Sequence, residues 1–375
     1  MMVNDVVIIG ASAAGLACAA RLKQKGIPYV LLEKSTQVGQ AWRDHYDRLH
    51  LHTNKAHSGL PFIPFSRDVP KYPSKQDVVD YLERYTRELA LNPEYNTEVL
   101  QVKKSGDTWQ IDTTNNTYRA KQVIFATGYN RVPVIPKWPG QQQFRGKIIH
   151  SSVYKNGAPY QGKDVLVVGF GNSAGEIAIC LHEHGAKPHL SVKGPVNIIP
   201  RDILGLPVLS IGIKQAGLPS KLVDMINAPL LRILLGDYTK YGLQKLPYGP
   251  TTQIRKYHRI PLLDVGTLDL IKKGQIVIHP DIAEFHNDGV TLTNGQSIKV
   301  QVVILGTGYK PKLDKILIDH DGLLDQEGTP LVSGKQIAQN GIYFCGFYVA
   351  PTGMLREINL ESASIVDEIS QNSTH

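Results

Sequence analysis

The sequence predicts an α/β protein built from two Rossmann-like, three-layer dinucleotide-binding domains, the second inserted into the first. Three observations carry this expectation. A buried-type strand, a glycine turn and a helical stretch follow one another at Val6–Ile9, Gly10–Gly15 and Leu16–Lys25. The same succession returns at Val165–Val168 and Gly169–Ala174, with a helical stretch to about His184. A strand ending in Gly-Thr-Gly, Gln301–Gly308, echoes an earlier strand at Gln122–Gly128, as expected where a chain returns from an inserted domain. Strand, glycine turn and helix open a dinucleotide-binding βαβ unit, and two such units imply two dinucleotides. The boundaries read from the sequence are 1–155 and 303–375 for the outer domain and 156–302 for the inserted one.

In the first turn, Gly10 makes the sharp bend. Ala11, Ser12 and Ala13 are small enough for the backbone to approach a pyrophosphate, and Gly15 lets the helix pack on the strand. The helix N-terminus then offers free N–H groups to negative charge. Glu33, at the end of the strand Tyr29–Leu32 and 18 positions beyond Gly15, is the acid expected on a ribose hydroxyl. Ser12 stands where a second glycine is usual.

Thr97–Lys103, Thr108–Thr113 and Thr117–Ala120 then read as short strands turning at Gly106-Asp107 and Asn115-Asn116. Pro133, Pro136 and Pro139 suit a crossing between domains. The second turn, Gly169-Phe-Gly171-Asn172-Ser173-Ala174, is the tighter match, since its last position accepts Gly or Ala. Its next strand, Pro188–Val192, runs into Lys193 rather than an acid. A cation there can pair with the 2′-phosphate of NADP, although lysine is a point charge and not a bidentate fork. A solvated surface lysine is the competing reading. The residues Gln371–His375 are expected to fray.

Composition narrows the function. With 42% hydrophobic and 20% charged residues, the 375-residue chain is that of an ordinary globular protein. Cys18, Cys180 and Cys345 are far apart, with no CxxC and no metal-ligand spacing, so neither a disulfide framework nor a metal site is expected. A reducing, cytoplasmic setting fits. The N-terminus does not read as a signal peptide, and no apolar run approaches the ~20 residues of a membrane span. The most apolar stretch, Met225–Leu235, is interrupted by Asn227, Pro229 and Arg232. The net charge of +8 is scattered without a dense basic block, so a surface suited to anionic dinucleotides is preferred over a nucleic-acid partner.

Between the two turns lies Phe144-Arg-Gly146-Lys-Ile-Ile-His150-Ser-Ser-Val-Tyr154, an FxGxxxHxxxY pattern. It resembles the fingerprint of single-component FAD monooxygenases that include the flavin-containing monooxygenases. Tyr154 stands where the related Baeyer–Villiger enzymes usually carry Trp. In that family the motif couples two domains and supplies no base. Within the family, the closest likeness is to the YUCCA group, the plant-type indole-3-pyruvate monooxygenases. It is carried by Tyr46–His52, Tyr72–Lys75, Ile199–Gly205, Leu235–Leu243 and Pro261–Thr267. Ser12, Gln40 and Thr53-Asn54 depart from plant members, as does Tyr348–Leu355.

The resemblance implies that FAD sits at the first turn and NADPH, with NADH as the alternative, at the second. It carries over Lys34, Gln40, Ala41 and Trp42 (for Gly-Gly-x-Trp), Thr53, Asn54, Val102, Ala126, Thr127 and Gly128 toward the flavin nucleotide. Glu176 and Arg201 are carried over toward the nicotinamide nucleotide. Gly306, Thr307, Gly308 and Tyr309 match a second signature near both cofactors, and Met354 and Leu355 a helix start at the flavin's N1–C2=O edge. Asn54 is the expected hydrogen-bonding group near flavin C4a; an asparagine that only shapes a turn is the alternative. The implied chemistry is a flavin C4a-(hydro)peroxide that oxygenates a small organic substrate: an indole-3-pyruvate-like 2-oxo acid, or a soft sulfur or nitrogen nucleophile. An NAD(P)H oxidase releasing hydrogen peroxide and a flavin disulfide reductase-like protein are the competing functions. The implied partners are the small substrate and O2, with no nucleic acid and no integral membrane span; a homodimer is compatible with the sequence.

Overall fold

Val6–Ile9, branched and apolar at every position, forms the buried half of β1 (Val3–Ile9) in a computed structural model that describes residues 3–337 and 340–372. The chain divides into two units. The first comprises Met1–Asp44, Thr53–Val132 and Tyr309–His375; the second comprises His45–His52 and Pro133–Gly308.

In chain order the first unit opens with β1, α1 (Ala13–Gln24), β2 (Tyr29–Leu32), α2 (Gln40–Asp44), α3 (Lys75–Glu88), β3 (Val99–Ser105), β4 (Thr108–Thr113) and β5 (Thr117–Phe125). The helical stretch expected from Leu16 begins at Ala13, because the open turn feeds directly into it. Two strands read separately, Thr117–Ala120 and Gln122 onward, are one. β5 pairs antiparallel with β4 over Thr117–Ala120 and parallel with β1 over Arg119–Phe125. Lys121 interrupts the apolar pattern but is exposed, so the backbone ladder continues through it.

The second unit contains β6 (Val132–Pro133, at the boundary), β7 (Lys147–His150), β8 (Asp164–Val168), α4 (Asn172–Glu183) and β9 (Lys187–Ser191). An excursion follows: β10 (Ile198–Pro200), β11 (Asp202–Ile203), β12 (Leu206–Pro207), α5 (Val208–Lys214), α6 (Ser220–Leu235), α7 (Pro250–Tyr257) and β13 (Leu262–Asp264). Then come α8 (Thr267–Lys272), β14 (Val277–His279), a three-stranded antiparallel sheet of β15 (Ile282–His286), β16 (Gly289–Leu292) and β17 (Ser297–Lys299), and β18 (Val302–Leu305). The central sheet runs β14-β9-β8-β18-β7, all parallel. Parallel strands buried on both faces account for the unbroken runs Val165–Val168 and Val302–Leu305.

This unit therefore begins before the boundary read at residue 155 and ends after 302. β7 completes the sheet beside β18, so 133–155 and 303–308 belong here. The short segment His45–His52 also belongs here, because Tyr46 is buried in the core of Val165, Val167, Ile177 and Leu190.

The first unit resumes with β19 (Tyr309–Lys310), β20 (Ile342–Phe344) and α9 (Met354–Asn372). Its sheet runs β2-β1-β5-β4-β3, with β20 added to β5. α9 lies against α1, tied by Arg21 to Ser362 and Asn359. The expected fraying does not extend to Gln371 and Asn372, which are helical; 373–375 lie outside the described residues.

Candidate functional site

The first turn is as tight as its residues suggest. Gly10 has φ +104°, and a Cβ there would come within 2.8 Å of the Ala126 carbonyl oxygen at the end of β5. A Cβ on Gly15 would overlap the Gly10 carbonyl oxygen. Ser12 is the N-cap of α1, its side chain does not cap the helix, and no acid occupies the first turn. The N–H groups of that turn are left for an external anion.

Glu33 is buried at the end of β2 and accepts from the Ala11 N–H (2.7 Å) and the Ser35 N–H (2.9 Å). Its carboxylate thus braces the glycine turn, and its remaining lone pairs can take a hydroxyl. At the end of β5, Ala126 donates to the Ile9 carbonyl, Gly128 adopts φ +78°, and the Thr127 hydroxyl is buried without a partner. An orphaned buried hydroxyl beside a glycine turn, a cradle that a Cβ would fill and an open helix N-terminus fit a dinucleotide.

Other expected residues are placed differently. Val102 sits in the core of β3, its N–H bonded to the Ile316 carbonyl and its carbonyl to the Ile318 N–H, so strand pairing consumes the groups a cofactor would need. The Gln40 amide is engaged by Gln37 and Asp44 along α2, while Gly39 donates to the Ala11 carbonyl. Lys34 and Ala41 are exposed, and Trp42 is half-buried on α2. The Thr53 hydroxyl is tied to Ser58. Asn54 does shape a turn: its Oδ1 accepts from the Ala56 N–H at 2.9 Å, which leaves Nδ2 to donate.

Asn54 also lines a cavity of about 810 Å³ with Phe62, Phe65, Arg67 and Arg356. Met354 is the first residue of α9 and Leu355 is buried behind it. Thr352 and Arg356 both hydrogen-bond Glu357, the acid of that first turn.

In the second unit, Gly169 has φ +117° and donates to the Ser191 carbonyl; Gly171 is the N-cap of α4, with open space where a Cβ would stand. Gly306 packs so closely on Ala174 that a Cβ would lie 2.8 Å from the alanine Cβ. Asn172 is occupied structurally, its Oδ1 accepting from the Leu263 N–H at 2.7 Å. Ser173 faces partly outward, and Lys193, just beyond β9, is exposed without an ion pair among the described residues.

Arg201 lies in the excursion after β10, beside Asp202. Glu176 is buried on α4 with His52 Nε2 2.8 Å from its Oε1. That approach is off the ring N–H direction, since Oε1 has no aligned hydrogen bond. His52 is a partner the sequence did not expose, because it arrives from the His45–His52 excursion.

The four fingerprint residues all lie in the second unit. Phe144 meets Phe285 edge-on at 5.5 Å, and a Cβ on Gly146 would overlap the Phe144 ring. His150, at the end of β7, accepts at Nδ1 from the Ser152 N–H (3.1 Å), which puts its proton on Nε2, facing the Gly308 carbonyl (3.1 Å). Burial holds its pKa below the usual value. A neutral imidazole with both nitrogens spoken for is a clamp on the Gly306-Thr307-Gly308 strand end, not a base. Thr307 bonds the Val134 carbonyl, which fastens the same turn from the other side. Tyr309 begins β19, in the first unit. Tyr154 stacks on Tyr160 in the core.

The cysteines need one correction. Cys18 on α1 and Cys345 after β20, distant in sequence, are neighbours in the first unit. Hydrogen bonding to Cys18, together with burial, pushes the Cys345 thiol well up. Both are fully buried, and the raised Cys345 thiol keeps its proton, which does not suit an exchanging dithiol. No cluster of three metal-binding side chains occurs among the described residues.

Comparison with known proteins agrees with this geometry. The model of the pyridine nucleotide-disulphide oxidoreductase family matches residues 7–199. A probable indole-3-pyruvate monooxygenase, YUCCA3 of Arabidopsis thaliana, is 37% identical over 361 residues, covering 92% of this chain and 82% of that protein. The indole-3-pyruvate monooxygenase YUCCA4 of Oryza sativa subsp. japonica is 34% identical over 98% of this chain and 88% of its own. Among solved structures, the flavin-containing monooxygenase from Stenotrophomonas maltophilia superposes with a TM-score of 0.75 at 22% identity, over 98% of this chain and 99% of that one.

Proposed function

Because the chain belongs to the YUCCA-type indole-3-pyruvate monooxygenases, flavoprotein monooxygenases that use FAD and NADPH, we propose that it oxygenates an aryl 2-oxo acid, with loss of CO2. The observation that carries this reading is identity of 34–37% along nearly the whole chain to enzymes named for indole-3-pyruvate. The cavity beside Asn54 supports it: Phe62 and Phe65 suit an aromatic ring, and Arg67, exposed and without an ion pair among the described residues, suits a carboxylate.

When bound, FAD reduced by NADPH supplies the activation of O2. The overall balance is 2-oxo acid, O2, NADPH and a proton to carboxylic acid, CO2, water and NADP⁺. The protein's share is to bind, orient and exclude water. The open N-terminus of α1 and the Gly10 turn would hold the FAD pyrophosphate, with Glu33 and the Thr127 hydroxyl on neighbouring polar groups. The N–H groups at the start of α9 would favour negative charge on the reduced flavin. Asn54 Nδ2 would donate near the reacting face.

The deciding experiment supplies indole-3-pyruvate to purified yellow enzyme with NADPH and measures product and hydrogen peroxide together. Near-stoichiometric indole-3-acetate with little peroxide is expected. Stoichiometric peroxide, whatever the substrate, would make the chain an oxidase; turnover of thioethers or amines but not 2-oxo acids would exclude the substrate proposed. Asn54→Ala is expected to divert NADPH to peroxide while FAD stays bound. Arg67→Ala is expected to raise KM for the 2-oxo acid several-fold, by loss of on the order of 1 kcal/mol, with kcat nearly unchanged.

Nicotinamide choice is tested at Lys193. Lys193→Ala should raise KM for NADPH several-fold and leave NADH untouched, the effect of losing one exposed charge pair of about 1 kcal/mol. Equal effects on both nucleotides would remove Lys193 from the 2′-phosphate site.

A further inference from the structure

The excursion from Arg201 to Arg259 carries no part of either glycine turn, yet it holds most of the chain's charge imbalance. It contains nine lysines and arginines against three aspartates, a net +6 of the chain's +8. All three acids have internal tasks. Asp202 pairs with Arg201, Asp224 accepts from the Thr251 and Thr252 N–H groups at the start of α7, and Asp237 accepts from Thr239. Lys214, Lys221, Arg232, Lys240, Lys245, Lys256 and Arg259 are exposed, and none forms an ion pair among the described residues.

The same segment exposes apolar side chains in order. On α6 the positions 223, 227, 231 and 235 recur every fourth residue and turn inward: Val223 and Leu235 are buried, and Leu231 packs on the core. Leu222, Met225, Ile226, Pro229 and Ile233 share the opposite face at spacings of three and four. Ile233 is 79% exposed and Met225 66%. Helical geometry places Lys221 and Arg232 along one border of this stripe. The β11–β12 hairpin adds a second exposed apolar element. Its two-residue turn puts Leu204 at φ +49°, a conformation leucine seldom adopts, and leaves it 88% exposed.

We propose that α6 is an in-plane anchor that docks the protein on an anionic lipid bilayer. An apolar stripe rimmed by unpaired cations on a helix too short to cross a membrane is the pattern of an interfacial helix. Charge complementarity selects the lipid over a second copy of the chain. A two-fold contact through this stripe would set Lys221 and Arg232 against their own equivalents, and the three acids of the excursion are already engaged within it by Arg201, the start of α7 and Thr239. The inference stands apart from the identity of the substrate.

The test is flotation of the FAD-loaded enzyme with phosphatidylcholine vesicles, with and without about one-third phosphatidylserine. The expected result is association with the anionic vesicles only, weakened by salt. Lys221→Gln and Arg232→Gln should each weaken it about fivefold. Met225→Ser with Ile233→Ser should abolish it while the flavin spectrum and NADPH oxidation stay unchanged. The proposal is overturned if the wild type fails to float with anionic vesicles or floats equally with both kinds. It is also overturned if the enzyme is a dimer that the Met225/Ile233 double substitution converts to monomer, which would assign the stripe to a second copy.

Discussion

Gly15→Ala is expected to yield colourless protein. The added methyl would overlap the Gly10 carbonyl oxygen, a backbone atom held in place by β1 and by the Gly10 N–H bond to Leu32. Neither α1 nor the strand can give way without opening the turn that would hold the FAD pyrophosphate. The strain should reach or exceed the ~3 kcal/mol upper range usual for overpacking. Flavin absorbance per protein, with circular dichroism as a check on folding, measures the outcome. Gly171→Ala is the matched control: nothing lies within 4 Å of its added Cβ. It should keep its flavin and, if the second turn holds NADPH, raise KM for that nucleotide. Full flavin occupancy in Gly15→Ala would remove FAD from the first turn.

Tyr154→Ala should be the most destabilising change in the fingerprint. The ring is fully buried among Tyr46, Tyr160 and the β8–α4 core, and deleting it leaves a large cavity. A loss of about 3–5 kcal/mol is expected, lowering Tm by on the order of 10 °C. Tyr154→Phe should cost nothing and can stabilise. The hydroxyl is buried without an aligned hydrogen bond and has the weak Cys180 thiol to interact with at its tip, so its removal relieves desolvation. Burial drives the phenol's pKa upward, which keeps it neutral throughout the working pH range. Thermal melts of the two variants decide the point; a loss in Tyr154→Phe as large as in Tyr154→Ala would show that the hydroxyl, not the ring, matters.

Local patterns were readable because local physics determines them. Both glycine turns and Glu33 at the end of β2 follow from strand, turn and helix signals a few residues long, whereas the helix start at Met354 came with the family resemblance. What could not be read depends on pairing between distant segments. Residues 147–150 fall in the outer domain by the boundary read at 155, until the register of β7 against β18 assigns them to the second sheet. Val102 resembles a ligand contact until Ile316 and Ile318 are seen to consume its backbone groups. Cys18 and Cys345 are 327 residues apart, and only the packing of α1 against the end of β20 makes them neighbours. His52 carries no pattern of its own and acquires a partner solely because His45–His52 leaves one unit for the other.

That crossing of the chain sets an order of assembly. The polypeptide passes between units four times, after Asp44, His52, Val132 and Gly308. Everything the second unit needs has been synthesised by Gly308, whereas the first still lacks β20 beside β5 and α9 beside α1. On a translating ribosome the second unit can therefore close first. The first unit must wait as an unfinished sheet, with the apolar flanks of β5 and α1 uncovered, until β20 and α9 emerge. If the first glycine turn holds FAD, its capture follows the synthesis of α9. Truncation within α9 should act on cofactor loading and chaperone dependence before it acts on any catalytic step.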